Sequence, residues 1–261
     1  VLLLHGWLGS WNLWRDTIAV LGKEFRTYAL DFYGFGESGA TSPDAYKVEN
    51  YVELVNQFMD KLGIVKAPLI GHSMGGTVSL SMAIRHPEKV VKVCVVGSPI
   101  NGNSLNFLLK MSGYPIIARI FWISPFLLRV FLGAYSYLMA NDGRRMSRMI
   151  SKDVSQITVN SFFQSIGTLR ETDLRPRLSE VRVPVTGVYG KRDIIVDPKQ
   201  NEVLKQGIPN AEIVWYPDAG HFPMIDVPER FIDQLRIFLH GKPLDQLPTI
   251  NREPESILMG R

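Results

Sequence analysis

Cysteine is nearly missing from this 261-residue sequence: Cys94 stands alone, so neither an intramolecular disulfide nor a cysteine-rich zinc site can form. Histidine is scarce as well. None of the five stands four residues from another and no EF-hand loop occurs, so no metal site is expected. There is no internal repeat and no low-complexity stretch, and a 46% hydrophobic, 21% charged composition describes a packed globule. Long apolar runs are missing too: Lys110, Arg119 and Arg129 interrupt the most apolar region before eighteen uncharged apolar residues accumulate, which excludes a membrane span there. The net charge of +4 comes from 29 basic residues against 25 acidic ones. With no Lys/Arg block and no basic-aromatic strand motif, nucleic acid is not an expected partner.

What the sequence does have is a rhythm. Short apolar runs at 1–4, 27–30, 69–70, 90–96, 185–189 and 211–216 read as strands. Between them lie amphipathic stretches. Val48, Tyr51, Val52, Val55, Phe58, Met59 and Leu62 recur at three- and four-residue steps and predict a helix over 47–62. Helices are likewise expected over 74–86, 199–206 and 229–240, with Pro87 and Gly207 as stops. Strand and helix alternating in this way imply an α/β fold, a mostly parallel sheet with helices on both faces, because parallel strands need crossover connections.

Residues 100–175 break that rhythm and read as a helical insertion, interrupted at Gly113, Pro115, Pro125 and Gly133. The expected organisation is therefore a core of residues 1–99 and 176–240, the insertion between them, and a C-terminal tail over 241–261. The positive charge concentrates on the insertion. Between residues 102 and 152, Lys110, Arg119, Arg129, Arg144, Arg145, Arg148 and Lys152 face Asp142 alone, a local balance of +6 that leaves the rest of the chain at −2. A cationic, apolar lid of this kind suggests contact with an anionic membrane surface.

The sharpest chemical signal is Gly71-His72-Ser73-Met74-Gly75-Gly76, between a strand and a helix. A serine nucleophile exposed on a tight strand-to-helix turn needs very small residues two before and two after it, and Gly71 and Gly75 stand at those places. The following helix aims its N-terminal amides and dipole at the hydroxyl. Such a serine needs a base and an orienting acid. His86 and His240 end helices, His72 adjoins the serine and His5 ends the first strand, whereas His221 occupies a loop after the last strand. Catalysts collect at carboxyl strand ends of parallel sheets, so His221 is the expected base. Asp193, on the turn after strand 185–189, is the expected acid, with Asp218 its main rival; Asp197 reads as a helix cap, and Asp226 also competes.

His5-Gly6-Trp7, Asp31-Phe32-Tyr33-Gly34-Phe35-Gly36-Glu37-Ser38, the Ser73 turn, Gly190-Lys191-Arg192-Asp193 and Gly220-His221, in that order, resemble the α/β-hydrolase family from residue 1 to about 240. The resemblance implies Ser73 as nucleophile, Asp193 as acid, His221 as base, and an oxyanion hole from the backbone N–H groups of Trp7 and Met74. It makes the insertion a helical cap. It also implies two further strands ahead of the His-Gly strand, so the first strands of the family's sheet are expected to be missing from this chain.

Gly34-Phe35-Gly36-Glu37-Ser38-Gly39 also satisfies the dinucleotide pattern G-x-G-x-x-G, but Ala40-Thr41-Ser42-Pro43 follows it where a helix is required. A tight turn held by Asp31 is the expected role, and no cofactor is expected. The resulting reading is a serine hydrolase cleaving a carboxylic ester, or a related acyl bond, of an apolar small molecule or lipid through an acyl-enzyme. A carbon–carbon bond hydrolase or cofactor-free haloperoxidase on the same three residues is the alternative, and a binding or scaffold protein of the same fold the non-enzyme one. A serine at the turn argues against the family's carboxylate-dependent dehalogenases and epoxide hydrolases. A cytoplasmic location is expected, since the lone cysteine is compatible with a reducing compartment.

Overall fold

The computed structural model describes residues 1–39, 42–112 and 125–250. In chain order these form β1 (Leu2–Leu4), α1 (Arg15–Leu21), β2 (Tyr28–Leu30), α2 (Val48–Lys61), β3 (Ala67–His72), α3 (Met74–Arg85), β4 (Val90–Val96), α4 (Phe107–Ser112), α5 (Pro125–Met139), α6 (Gly143–Val154), α7 (Val159–Glu171), β5 (Val185–Gly190), α8 (Gln200–Gly207), β6 (Glu212–Tyr216), α9 (Pro223–Asp226) and α10 (Pro228–His240).

The six strands make one sheet in the order β2-β1-β3-β4-β5-β6, parallel at every pairing. This is the α/β-hydrolase fold. The chain runs from β1 outward to β2, then returns across β1 to β3 and proceeds the other way. The carboxyl ends of β1 and β3 therefore flank the point where strand order reverses, the place where open parallel sheets hold their ligands. Leu2, Leu3 and Leu4 are wholly buried, as a central strand covered on both faces requires. Each such side chain contributes about 1.5–3 kcal/mol by leaving water.

β3 runs over six residues, Ala67–His72, rather than the two apolar ones expected, because backbone pairing to β1 and β4 extends it through Gly71 and His72. α2 buries Val48, Tyr51, Val52, Val55 and Met59 as its spacing predicts, but it ends at Lys61 and leaves Leu62 beyond it exposed. α1 and α9, of seven and four residues, are too short to show a period and escaped the sequence pattern.

Between β4 and β5 the elements of the described residues are helices, α4 to α7, with isolated bridges joining Asn101 to Asp173 and Leu105 to Val196. Gly113, Pro115 and Arg119 lie outside the described residues, as does the part of the tail from residue 251. Pro125 opens α5, and Gly133 lies within that helix instead of interrupting it. A Cβ there would stand 3.3 Å from the Ser147 hydroxyl, so the missing side chain lets α5 and α6 approach closely. α6 starts where the Asp142 side chain accepts from the Arg145 amide, and α7 where Thr158 and Ser161 form a reciprocal capping box. On α6, Arg144, Arg148 and Lys152 are exposed at four-residue steps, while Met146, Ile150 and Asp153 are buried on the opposite face. No helix among the described residues is long and apolar enough to cross a membrane.

Candidate active site

Ser73 occupies the single residue between β3 and α3, at φ 51° and ψ −119°. A positive φ at a residue with a Cβ costs of the order of 1–3 kcal/mol and persists only where the surroundings impose it. Here they do. The Ser73 amide donates to the Val96 carbonyl at 2.8 Å, and its own carbonyl accepts from Gly76 at 2.9 Å. A Cβ on Gly71 would run into the Gly75 carbonyl, and one on Gly75 would stand 2.6 Å from the His5 carbonyl, so the turn closes this tightly only with hydrogen at both positions.

Asp193 follows β5 and His221 follows β6, and the sheet brings the two loops together. His221 Nδ1 and Asp193 Oδ2 are 2.7 Å apart, with both side chains almost fully buried. The other carboxylate oxygen accepts from the amides of Ile195 at 2.8 Å and Val196 at 2.9 Å. The carboxylate is thus held by two backbone donors and has one oxygen left for the imidazole. A carboxylate only accepts, so Nδ1 carries the hydrogen and Nε2 keeps its lone pair. Gly97 makes room for this pair: a Cβ there would lie 3.2 Å from His221 Nδ1 and 3.4 Å from Asp193 Oδ2. His221 and Ser73 line one cavity, although no direct hydrogen bond joins them in this arrangement.

The rival acids are elsewhere. Asp218 forms a bidentate pair with Arg230 at 2.8 and 2.9 Å on the surface, a bond that holds its carboxyl below the usual carboxylate range. Asp197 accepts from the Lys199 amide at 3.0 Å just ahead of α8, and Asp226 accepts from the amides of Asn141 and Gly220 at 2.6 and 2.7 Å. His86 lies near Glu88 and His240 near Glu24, both away from the cavity.

Trp7 lies in the loop after β1, and Met74 is the first residue of α3. Among the described residues, neither backbone N–H donates to a protein acceptor. Two residues absent from the sequence-based site keep this region in shape. His5 donates from Nδ1 to the Gly6 carbonyl at 2.7 Å and accepts the Phe32 amide at Nε2 at 3.1 Å. Its burial favours the neutral ring that this pattern needs. His72 donates from Nε2 to the His221 carbonyl at 2.9 Å, tying the residue before Ser73 to the loop that carries His221. Burial pushes the His72 pKa well below its ordinary value, with the adjacent His221 as the next cause, so the ring is neutral and its buried Nδ1 has no partner. No sequence pattern announces either role. Both rings serve contacts between segments distant in the chain.

Asp31 accepts from the amides of Trp11 at 2.5 Å and Glu37 at 2.8 Å. The glycine-rich segment 34–39 therefore forms a tight turn bracing the loop after β1, and only a single helical turn, Gly36–Ser38, follows Phe35. Among the described residues no cluster of three His, Cys, Asp or Glu side chains suits a metal ion.

Helices α6 and α7 close over these groups. Trp7 Nε1 donates to the Phe162 carbonyl at 3.2 Å and its ring packs on Phe162 at 4.7 Å. Ser10 Oγ donates to Asp153 Oδ1 at 2.8 Å, joining the same loop to α6. The cavity beneath is lined chiefly by apolar side chains, among them Leu13, Leu109, Met146, Met149 and Phe162.

Asp153 also lines that cavity and is 3% exposed. Burial raises its pKa to about 6, with the nearby Asp31 adding to the effect. An acid whose pKa is higher folded than unfolded binds more protons in the native state between about pH 4 and 6, so stability falls as pH rises through that window. Above it the full cost remains. Asp153→Asn keeps an acceptor for Ser10 and is expected to stabilise the fold by about 2–3 kcal/mol near pH 8 but negligibly near pH 4. Thermal unfolding of both proteins at the two pH values checks this. An equal gain at both would mean that ionisation is not the cause.

A model of the α/β-hydrolase fold family matches residues 1–115. Pimeloyl-[acyl-carrier protein] methyl ester esterase of Edwardsiella ictaluri is 28% identical over 260 residues, covering 93% of each chain. A protein of Caulobacter sp. (strain K31), provisionally named as the carbamate hydrolase RutD, is 27% identical over 247 residues, covering 93% of this chain and 91% of its own. Among solved structures, an esterase from Exiguobacterium antarcticum superposes with a TM-score of 0.80 at 19% identity, over 92% of this chain and 91% of that one.

Proposed function

We propose, because the chain has the α/β-hydrolase fold and a model of that family matches residues 1–115, that it hydrolyses a carboxylic ester of an apolar small molecule or lipid with Ser73 as nucleophile. The observation that carries this reading is the strained Ser73 turn opening into the same cavity as a His221 ring whose Nδ1 is engaged by Asp193. His221 Nε2 takes the Ser73 proton as the hydroxyl oxygen attacks the carbonyl carbon. The resulting oxyanion is held by the free amides of Trp7 and Met74 at the positive end of α3. His221 then hands the proton to the departing alcohol, leaving an acyl-enzyme. Water, deprotonated by the same nitrogen, attacks the acyl carbon and releases the acid. Catalytic hydrogen bonds are often long before substrate binds, in keeping with the absent Ser73–His221 bond. The apolar lining supports an apolar acyl or alcohol group, and the esterase name of the Edwardsiella relative supports the ester among acyl bonds.

The test is hydrolysis of p-nitrophenyl esters from acetate to palmitate by the protein and by Ser73→Ala. Turnover by the protein and its loss in the variant are expected, with the preferred chain length sizing the space beneath the cap. A folded protein inactive on every member of the series, or a variant as active as the parent, would overturn the reading.

A further inference from the structure

The cavity beside Ser73 is apolar with one charged exception, and the mechanism does not use it. Among the described residues lining that cavity, Asp153 is the one acid and none is a lysine or arginine. Its Oδ1 accepts from Ser10 Oγ. Among the described residues nothing donates to its Oδ2, although the residue is almost fully buried. Lys152, its neighbour in sequence, belongs to the exposed face of α6; its charge favours the carboxylate at a distance, but no contact ion pair joins the two side chains.

An acid held in apolar surroundings without a paired cation is costly, and a position on the inner stripe of α6, three residues from Ile150, four from Met149 and seven from Met146, would ordinarily hold an aliphatic side chain. Joining the cap to the loop after β1 needs no more than a neutral acceptor for Ser10, so that contact does not account for a carboxylate. A donor arriving with the substrate does.

We propose that Asp153 is a specificity-determining residue: it selects substrates that carry a hydrogen-bond donor, an ammonium or hydroxyl group, on the part lying under the cap, and turns away those carrying a free carboxylate. The proposal rests on the reading of this cavity as the substrate site. It divides the ligand into an apolar body, held by side chains such as Leu109 and Met146, and a polar end meeting Asp153 Oδ2. A charge-assisted hydrogen bond of this kind gains strength where water is excluded, whereas a carboxylate in the same place meets like charge and loses its hydration. The same repulsion gives an acid product a reason to leave.

Calorimetric titration with n-hexylammonium and with hexanoate, near pH 8, tests this without requiring turnover. The protein is expected to bind the ammonium at least about tenfold tighter than the carboxylate, and Asp153→Asn to bring the two within about threefold. That variant keeps an acceptor for Ser10, so a loss of preference reports the charge rather than the cap contact. Equal affinity for both ions in the parent, no binding of the ammonium, or an unchanged preference in the variant would overturn the proposal. Failure of the ester series with the ammonium preference intact would remove the catalytic reading and leave the recognition site standing. Ester turnover with no ammonium preference would do the reverse.

Discussion

Asp193→Asn is expected to lower kcat by about 10³- to 10⁴-fold, almost as much as Ser73→Ala, while leaving the fold in place. The reason lies in what holds the carboxylate. Ile195 and Val196 donate their amides to Oδ1, so a carboxamide at position 193 must present its oxygen to them. Its nitrogen is then left facing His221 Nδ1, where a carboxylate oxygen now stands at 2.7 Å. Two donors cannot share that contact. The imidazole moves its hydrogen to Nε2, the nitrogen that accepts the Ser73 proton in the proposed mechanism, and could no longer act as its base although every heavy atom stays near its place. Steady-state kinetics on the preferred p-nitrophenyl ester, with circular dichroism to verify folding, measure this. Asp218→Asn is the control. Its partner Arg230 is on the surface, and activity within about twofold of the parent is expected, because exposed ion pairs contribute at most about 1 kcal/mol. A large loss in the control and none at Asp193 would reverse the assignment of the acid.

The second large effect is on stability. Gly75→Ala is expected to destabilise the fold by about 3 kcal/mol or more, lowering the melting temperature by roughly 6–12 °C. The added Cβ would press against the backbone carbonyls of Leu4 and His5. Those atoms cannot retreat, because β1 is paired on both sides, to β2 and to β3, and its three side chains are wholly buried. Gly63→Ala provides the comparison. Gly63 has a φ of +66° and open space around the Cβ position, so its substitution costs only the left-handed conformation, about 1–2 kcal/mol. Equal losses at the two positions would show that conformation, not crowding against β1, dominates.

How much of this was legible in the sequence depends on the range over which each feature is decided. The helix over Val48–Lys61 was legible because five of its residues bury one face, and burial of that face is what makes an amphipathic helix stable. The strands at 90–96 and, one residue short, at 185–190 were legible because strands covered on both faces are mostly apolar, and Val93–Val96 and all of 185–190 are buried. Leu62 was misplaced, since spacing continues past the residue at which backbone geometry ends the helix. Gly133 was read as a break because glycine is a poor helix former, whereas the approach of Ser147 on α6 uses its missing side chain.

For the candidate site the division is the same. Ser73 stood out because the turn it occupies restricts its neighbours two residues away on each side, a constraint written within five residues. Asp193 and His221 could be nominated only by their loops, and Asp218 remained a rival until the sheet order brought β5 and β6 side by side and sent Asp218 to Arg230. The roles of His5, His72 and Asp153 were beyond reach. Each is defined by a partner in a distant segment: the Phe32 amide, the His221 carbonyl, the Ser10 hydroxyl. The alternation of strand and helix and the serine turn are written in short stretches of chain, because both depend on periodicity and local sterics. Which acid meets His221 and which carboxylate faces the cavity are settled by the assembled fold, because they depend on hydrogen bonds and burial between segments that the chain order leaves far apart.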